Sequence, residues 1–505
     1  MYSNKENVNI LAALLVDYGI RHVVVCPGSR NAPLVHNFNE CPAIQCHPVT
    51  DERSAAFVAM GISQQTGTVA AVCVTSGSAL LNVLPGVAEA TYQRQGIIVI
   101  SADRPAAWTG QLDGQTMPQQ GALGSFAGKS VSLPECKDDV ERWQCRRLVC
   151  EAVNFLIAKR CSVHINVPIT EPLFGFSEEA LPAVKGIKTI SSEKCRQLFD
   201  ASERPMIVCG QGGTAPSDHS GVVVLAEQLS SDNPVPSLDT LFSLMDDGAL
   251  YKPDFLVFTG RTTVSKRLRQ FLRTLDNCIV VMHNPDGDIE DVTCHAHYIT
   301  AEPLPNINKV ETEFTLRWRK LIELTARHLA TEPSDLCSKA VKAFESLVQK
   351  GDIVYYANSS AVRLGAKYAA HSVRCNRGLN GIEGSLSTAV GASLVTDDNV
   401  YCVIGDLSFF YDQNALWNQH LKGNLRILLL NGGGGAIFRS LPGLDGSPAL
   451  EEYVMASHKT TAVGACHQYG VSRRMVSRAD ELAQDMEWLV RTKSNRPLLL
   501  EVLTI

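Results

Sequence analysis

Short runs of Val, Ile and Leu, each followed by a loop containing Gly, Ser or Asp and then a stretch of helical character, recur along the whole chain. No other feature restricts its fold as strongly. The runs are RHVVVC, VAAVCVT and GIIVIS, then PMIVCG, FLVFTG and CIVVMH, and finally DIVYYAN, VYCVIGD, LRILLLN and PLLLEVLTI. Apolar runs without alternation predict strands covered on both faces, hence parallel sheets flanked by helices and an α/β fold. Ligands of such sheets collect at the carboxyl ends of the strands. The loops to inspect are therefore CPGSRNAP, VTSGSALLN, SADRPAAW, TGRTTVSKRL, ANSSAVRL, GDLSFFYDQN and NGGGGAIF.

The runs fall into groups separated by a Pro-, Gly- and Ser-rich stretch near 172–193 and a charged helical stretch near 311–350. With 505 residues and about 150 residues per domain, roughly three domains are expected. Forty-six basic and fifty-two acidic side chains leave a formal charge of −6 with no basic tail, which argues against nucleic acid as a partner. The opening segment MYSNKENVNILAALLVDYGI lacks a basic start and an A-x-A site, and reads as an amphipathic helix. No apolar stretch reaches the roughly 18 residues of a membrane span. A soluble, cytoplasmic protein is expected, with its sixteen cysteines reduced. CPAIQCH and CHAH lack paired zinc spacing, and Cys26, Cys73, Cys209 and Cys402 sit in apolar runs as small core residues.

Three patterns bear on chemistry. In VIGDLSFFYDQNALWNQHLKGNLRILLLNGGGG, one strand delivers Gly405 and Asp406 to a loop and the next delivers Asn431, 25 positions after Asp406. A carboxylate and an amide oxygen at one sheet edge suit Mg²⁺, which takes oxygen ligands and borrows others from phosphates and water. The glycines let backbone approach a diphosphate. A plain strand-to-helix turn with an Asp cap has the same spacing. Glu52, in TDERSAAF, opens a helix, where a carboxylate also serves as a first-turn charge. Arginines recur in the strand-end loops at 30, 104, 261, 267, 363 and 377. Singly each reads as a surface residue; together they suit a substrate with several carboxylates. His36, His371 and His458 follow no pattern and read as structural, and no strand is followed by G-x-G-x-x-G.

The GD…N spacing, the early Glu and the three groups of runs together resemble the thiamine diphosphate-dependent enzymes. Within these, PGSRNAPL, DERSAAF, TSGSALLN, SADRP, CNRGLNGIEG and GDLSFFYDQNAL resemble the 2-succinyl-5-enolpyruvyl-6-hydroxy-3-cyclohexene-1-carboxylate synthase family of menaquinone biosynthesis. The resemblance implies three doubly wound parallel-sheet domains: pyrimidine-binding over 1–175, central over 190–330 and diphosphate-binding over 335–505. It implies a homodimer or dimer of dimers, with cofactor between the first domain of one subunit and the last of another. Glu52 would bond the aminopyrimidine and drive its imino tautomer. Ser359, Ile382, Gly405, Asp406, Leu407, Ser408 and Asn431 would contact the cofactor, and Asp406, Asn431 and the Gly434 carbonyl would hold Mg²⁺ or Mn²⁺. The implied reaction decarboxylates 2-oxoglutarate and adds the resulting carbanion to isochorismate. Ser29, Arg30, Arg104, Gln115, Lys266, Arg267, Arg363 and Arg377 match the substrate contacts. Alternatives are a related decarboxylase for another 2-oxo acid and a weakly active paralogue with an impaired metal site.

The family's second Asn, a metal ligand, is replaced here by Gly432. Neighbouring side chains on a strand point to opposite faces, so Asn431 could take over only if the backbone slipped by one residue. Ala436 would resist that slip if its position required positive φ.

Overall fold

The computed structural model describes residues 1–231, 234–349 and 351–504. Each of the apolar runs becomes a strand, and the paired strands form three all-parallel sheets. Residues Met1–Ser191 and Asn284–Ala301 form one compact unit, and the rest of the described chain forms a second.

In the first unit the sheet runs Gln45–Pro48, His22–Val25, Ala70–Val74, Ile98–Asp103, Val163–Pro168, Lys129–Ser132. The helix Glu52–Thr66 follows the first of these, capped by Asp51 and ended by Gly67 at φ +70°. It packs on the helix Leu84–Tyr92, where a Cβ at Gly86 would lie 2.6 Å from that of Ala56, so only glycine permits the approach. Ala55, Ala56, Ala59, Leu80, Val87 and Val99 close the core between these helices and the sheet. The opening helix Glu6–Asp17 departs from the amphipathic expectation. Asn7 through Leu15 are all buried. Its polar residues are satisfied inside: Asn7 Nδ2 donates to the Pro168 carbonyl at 2.8 Å, and Asn9 Nδ2 to that of Ser3 at 2.8 Å.

The second unit holds the parallel strands Val223–Ala226, Pro205–Cys209, Phe255–Thr259 and Ile279–His283. It also holds the sheet Ile353–Tyr356, Val400–Gly405, Leu425–Asn431, Leu498–Leu503, Ser472–Val476. Gly405 pairs with Leu430, which sets the loops after both strands side by side. No helix among the described residues is long and apolar enough to cross a membrane.

Candidate active site

At the carboxyl edge of the last sheet lies a cavity of about 520 Å³. Ser359, Ile382, Gly405, Asp406, Leu407, Ser408 and Gly434 line it together with Arg363, as do Asp335, Cys337 and Thr504, which sequence reasoning passed over. Asp406 opens the helix Asp406–Asp412 and is almost fully buried. Its Oδ1 accepts from the Leu407 N–H at 2.6 Å and its Oδ2 from the Gly434 N–H at 2.8 Å, so backbone donors fix the carboxylate on both sides. Ser408 Oγ donates to the Ile382 carbonyl, tying the loop before one helix to the start of another. Ser359 sits at φ +72° ahead of the helix Ser360–Tyr368.

Asn431 is where the structure corrects the expected ligand set. Its side chain is fully buried and outside the cavity lining. Nδ2 donates to Glu501 Oε1 at 2.7 Å and to the Thr460 carbonyl at 2.9 Å, while Oδ1 accepts from Gly433 N–H at 3.2 Å. Glu501 is in turn held by Arg473 Nε at 2.7 Å. Breaking this buried set to free one amide would leave a carboxylate underpaired, a costly exchange. Asn431 pairs with Leu503 as the last residue of its strand, and its side chain does not reach the cavity. Gly432 faces the cavity, and a Cβ there would meet only Thr504 Oγ1, at 3.8 Å. Positive φ falls on Gly433 and Gly434, not on Ala436, which begins the turn Ala436–Ser440 without strain. The Gly434 carbonyl already accepts from the Ala436 N–H at 2.9 Å, leaving one lone pair.

Of the arginines noted in the strand-end loops, Arg363 and Arg377 have no carboxylate within ion-pair distance among the described residues. Arg363 Nη1 donates to the Ser359 carbonyl at 2.8 Å. Arg377 is 8 % exposed, with Nη1 on Asn358 Oδ1 at 3.3 Å, Nη2 on the Thr263 carbonyl at 3.2 Å, and Nε without a partner. Burial lowers its pKa from the usual guanidinium value. Glu227 holds the loop behind it by accepting from Val264 N–H at 2.7 Å and Ser265 N–H at 2.8 Å, and burial pushes its carboxyl up to about 7. Lys266 and Arg267 start the helix Lys266–Leu272 with exposed side chains and do not line the cavity.

In the first unit Glu52 is half-buried, its Oε2 accepting from Asn82 Nδ2 at 3.2 Å. Arg104 pairs with Asp113 (Nε to Oδ2, 3.0 Å) and donates to Ser76 Oγ at 2.8 Å and the Gln115 carbonyl at 3.2 Å. Gln115 is exposed, at φ +58°. Arg30 is buried against the Ile169 carbonyl at 3.0 Å and Glu171 Oε1 at 2.9 Å, and Ser29 is exposed beside it. Gln119, unremarked in the sequence, accepts from Gly77 N–H at 2.7 Å and donates to Asn166 Oδ1 at 2.7 Å. It thereby ties the 76–82 loop to the sheet.

Residues 6–124 match the family model described as thiamine pyrophosphate enzyme, N-terminal TPP binding domain, and residues 358–502 match the corresponding C-terminal TPP binding domain. Three relatives named 2-succinyl-5-enolpyruvyl-6-hydroxy-3-cyclohexene-1-carboxylate synthase align over nearly their full lengths. The Bacteroides fragilis protein is 39% identical over 100% of this chain and 97% of its own. That of Bacteroides thetaiotaomicron is 39% identical over 99% and 96%, and that of Phocaeicola vulgatus 38% over 100% and 96%. The chain belongs to this synthase family. It is a thiamine diphosphate-dependent enzyme.

The synthase cavity fits that cofactor. Its volume of about 520 Å³ lies within the range of about 300–1,000 Å³ usual for small-molecule sites. It combines the Ile382 and Leu407 side chains with the glycine loop and the Ser359 hydroxyl. The open space above Gly432 adds room within it.

Proposed function

We propose that this synthase decarboxylates 2-oxoglutarate and joins the remaining four-carbon unit to isochorismate, a cytoplasmic step of menaquinone biosynthesis, using thiamine diphosphate with Mg²⁺ or Mn²⁺. The C1–C2 bond of the oxo acid breaks, carbon dioxide leaves, and its electron pair forms the new carbon–carbon bond to the isochorismate ring with uptake of one proton. Bound thiamine diphosphate supplies a thiazolium that holds this electron pair. Residues 1–175, 190–330 and 335–505 act as pyrimidine-binding, central and diphosphate-binding domains.

The observation that carries this reading is Arg363 on the cavity wall without a carboxylate in ion-pair distance, together with Arg377, buried with an idle Nε. Arg426 is also buried without a carboxylate, but carbonyl and amide oxygens use its donors; Arg377 keeps an idle N–H, which a carboxylate can accept. Ser29, Arg30, Arg104 and Gln115, and likewise Lys266 and Arg267, are further candidate contacts for the anionic substrates. Glu52 holds the cofactor's pyrimidine by a hydrogen bond and exchanges a proton with it. Asp406 is the side-chain ligand of the cation. Among the described residues no group of three His, Cys, Asp or Glu side chains could hold a metal alone; with Asp406, the Gly434 carbonyl would be the chain's contribution to a shell that the cofactor's oxygens and water would share.

A homodimer, alone or doubled, fits the surface around Glu52. Phe57 is 40% exposed, Val58 39% and Leu81 44%, an apolar flank of the kind a second copy covers. The test is calorimetric titration of thiamine diphosphate with and without Mg²⁺, followed by carbon dioxide release from 2-oxoglutarate. Glu52→Gln is expected to bind cofactor nearly as the parent does and to lose turnover by about 10²- to 10⁴-fold. Parent-like release by this variant would remove Glu52 from its role.

A further inference from the structure

The segment that follows the glycine loop in space is 455–462. Gly435 N–H donates to the Met455 carbonyl at 2.8 Å, His458 N–H to that of Gly433 at 3.0 Å, and Asn431 Nδ2 to that of Thr460. These bonds lay His458 over the site. Its ring stands edge-on to Phe410 at 5.4 Å, and its Nε2 lies 3.6 Å from Asp406 Oδ2.

The tautomer follows from the other nitrogen. Nδ1 accepts from the Thr460 N–H at 3.1 Å, so it carries a lone pair and the ring proton sits on Nε2. That Nε2–H is buried without a hydrogen-bond partner. A buried donor left unsatisfied costs about 1–3 kcal/mol, and such groups ask for an explanation. His36 and His371 differ, since each has a polar partner: the Met1 carbonyl at 2.8 Å for the first and Glu345 at 2.9 Å for the second. Ligation through Nε2 would require the ring proton on Nδ1 and so loss of the bond Nδ1 accepts from Thr460 N–H, which favours Nε2 as a donor over a substitute for the Asn missing at 432.

We infer that His458 is a positioning residue that donates its Nε2–H to the Asp406 carboxylate and aims the remaining lone pairs of that carboxylate at the cofactor's cation. The inference rests on the role proposed above for Asp406. A closing movement of under 1 Å suffices, from 3.6 Å to the 2.7–3.2 Å of an N–H···O bond. In this chain the support matters more than usual. Gly432 leaves Asp406 as the one side-chain ligand, so the carboxylate's orientation is not shared with a neighbouring amide.

The experiment measures Mg²⁺ affinity of the full-length protein at saturating thiamine diphosphate, by calorimetry and by the metal-dependent rise in melting temperature. It compares the parent, His458→Ala, His458→Gln and Asp406→Asn. His458→Ala is expected to weaken Mg²⁺ binding by about 10- to 100-fold, with the melting temperature of the metal-free protein near the parent's. His458→Gln, whose amide N–H can take the place of Nε2–H, is expected to recover most of that loss. Parent-like Mg²⁺ affinity in His458→Ala overturns the inference while leaving the role of Asp406 intact, provided Asp406→Asn has lost Mg²⁺. Equal destabilisation of His458→Ala with and without metal also overturns it, since His458 is then a packing residue only. If the parent shows no Mg²⁺-dependent cofactor binding, the proposed cation site itself is wrong and this inference falls with it.

Discussion

Arg30 and Arg104 of the first unit are held in the opposite way to Arg363 and Arg377 of the second. In the first, Arg30 is closed on Glu171 and Arg104 on Asp113, although both carboxylates are open to solvent, at 71% and 44% side-chain exposure. In the second, Arg363 and Arg377 end on carbonyl and amide oxygens with no carboxylate at ion-pair distance among the described residues. An exposed partner contributes only about 0–1 kcal/mol to its ion pair, so it holds the guanidinium in place yet yields to a better anion. Arg377, hydrogen-bonded to neutral oxygens but with Nε idle, recovers only part of its desolvation cost until an anion arrives. The first unit thus presents pre-aimed cations, and the second a cation whose electrostatics are incomplete.

The largest effect expected from this contrast is at Arg377. Arg377→Ala should reduce kcat/KM for 2-oxoglutarate or isochorismate by about 2–5 kcal/mol equivalent, with much less change in cofactor affinity. Unchanged saturation curves for both substrates would erase the distinction between the units.

The buried titratable groups give a second, opposite pair. His164 in the first unit lies between Ser101 Oγ at 2.7 Å and Ser130 Oγ at 3.0 Å, and burial lowers its pKa to about 4 from 6.5. The unfolded chain takes up this proton first, so the stability it supports is complete above pH 6.5 and is lost as pH falls toward 4. Glu227 runs the other way. Its folded pKa is about 7 against 4.5, so its contribution is complete below pH 4.5 and lost as pH rises through 7. Each amounts to a change on the order of 3 kcal/mol. Hydrogen exchange resolved by unit across pH 4 to 8 should show protection around 164 falling in acid and protection around 227 and 264 falling toward neutrality. Parallel profiles in both units would contradict the assignment.

A committed residue beside an open one recurs at 431 and 432. Since a Cβ at 432 meets nothing closer than 3.8 Å, Gly432→Asn should fold normally. It is expected to tighten Mg²⁺ binding by about tenfold, and Ala436 need not be changed. Equal affinity at limiting Mg²⁺ would mean that water or the Gly434 carbonyl already fills that position. The smallest effect is expected from Glu171→Gln, which frees Arg30 at a stability cost of at most about 1 kcal/mol and leaves cofactor binding unchanged. Thermal unfolding and thiamine diphosphate titration check both halves.

The apolar runs and the loops after them were readable in advance because strand and turn signals are local. Strands with buried polar residues were not. Val163–Pro168 reads VHINVP, and its His164 and Asn166 look like solvent-facing positions until Ser101, Gln119 and Asp103 are brought against them. Ser472–Val476, with two arginines in five residues, hides in the same way. At the site, Asp406 and its neighbours followed from GDLS at the end of an apolar run. Asn431 looked equivalent from its spacing, and nothing within the loop reveals that its partner is Glu501, 70 positions later.

Sequence by itself determined the order of the apolar strands, the edge where ligands collect, and Asp406 as the carboxylate of that edge, because hydrophobic runs, caps and glycine turns act over a few residues. The tertiary structure decided which groups are already spoken for. Parallel pairing sets Leu429 beside Glu501, and the chain's return through 455–462 lays His458 near Asp406. Whether a polar side chain is a ligand, a brace or an idle donor depends on which distant groups share its desolvated surroundings, and in a parallel sheet those neighbours arrive through crossovers that local pattern does not encode.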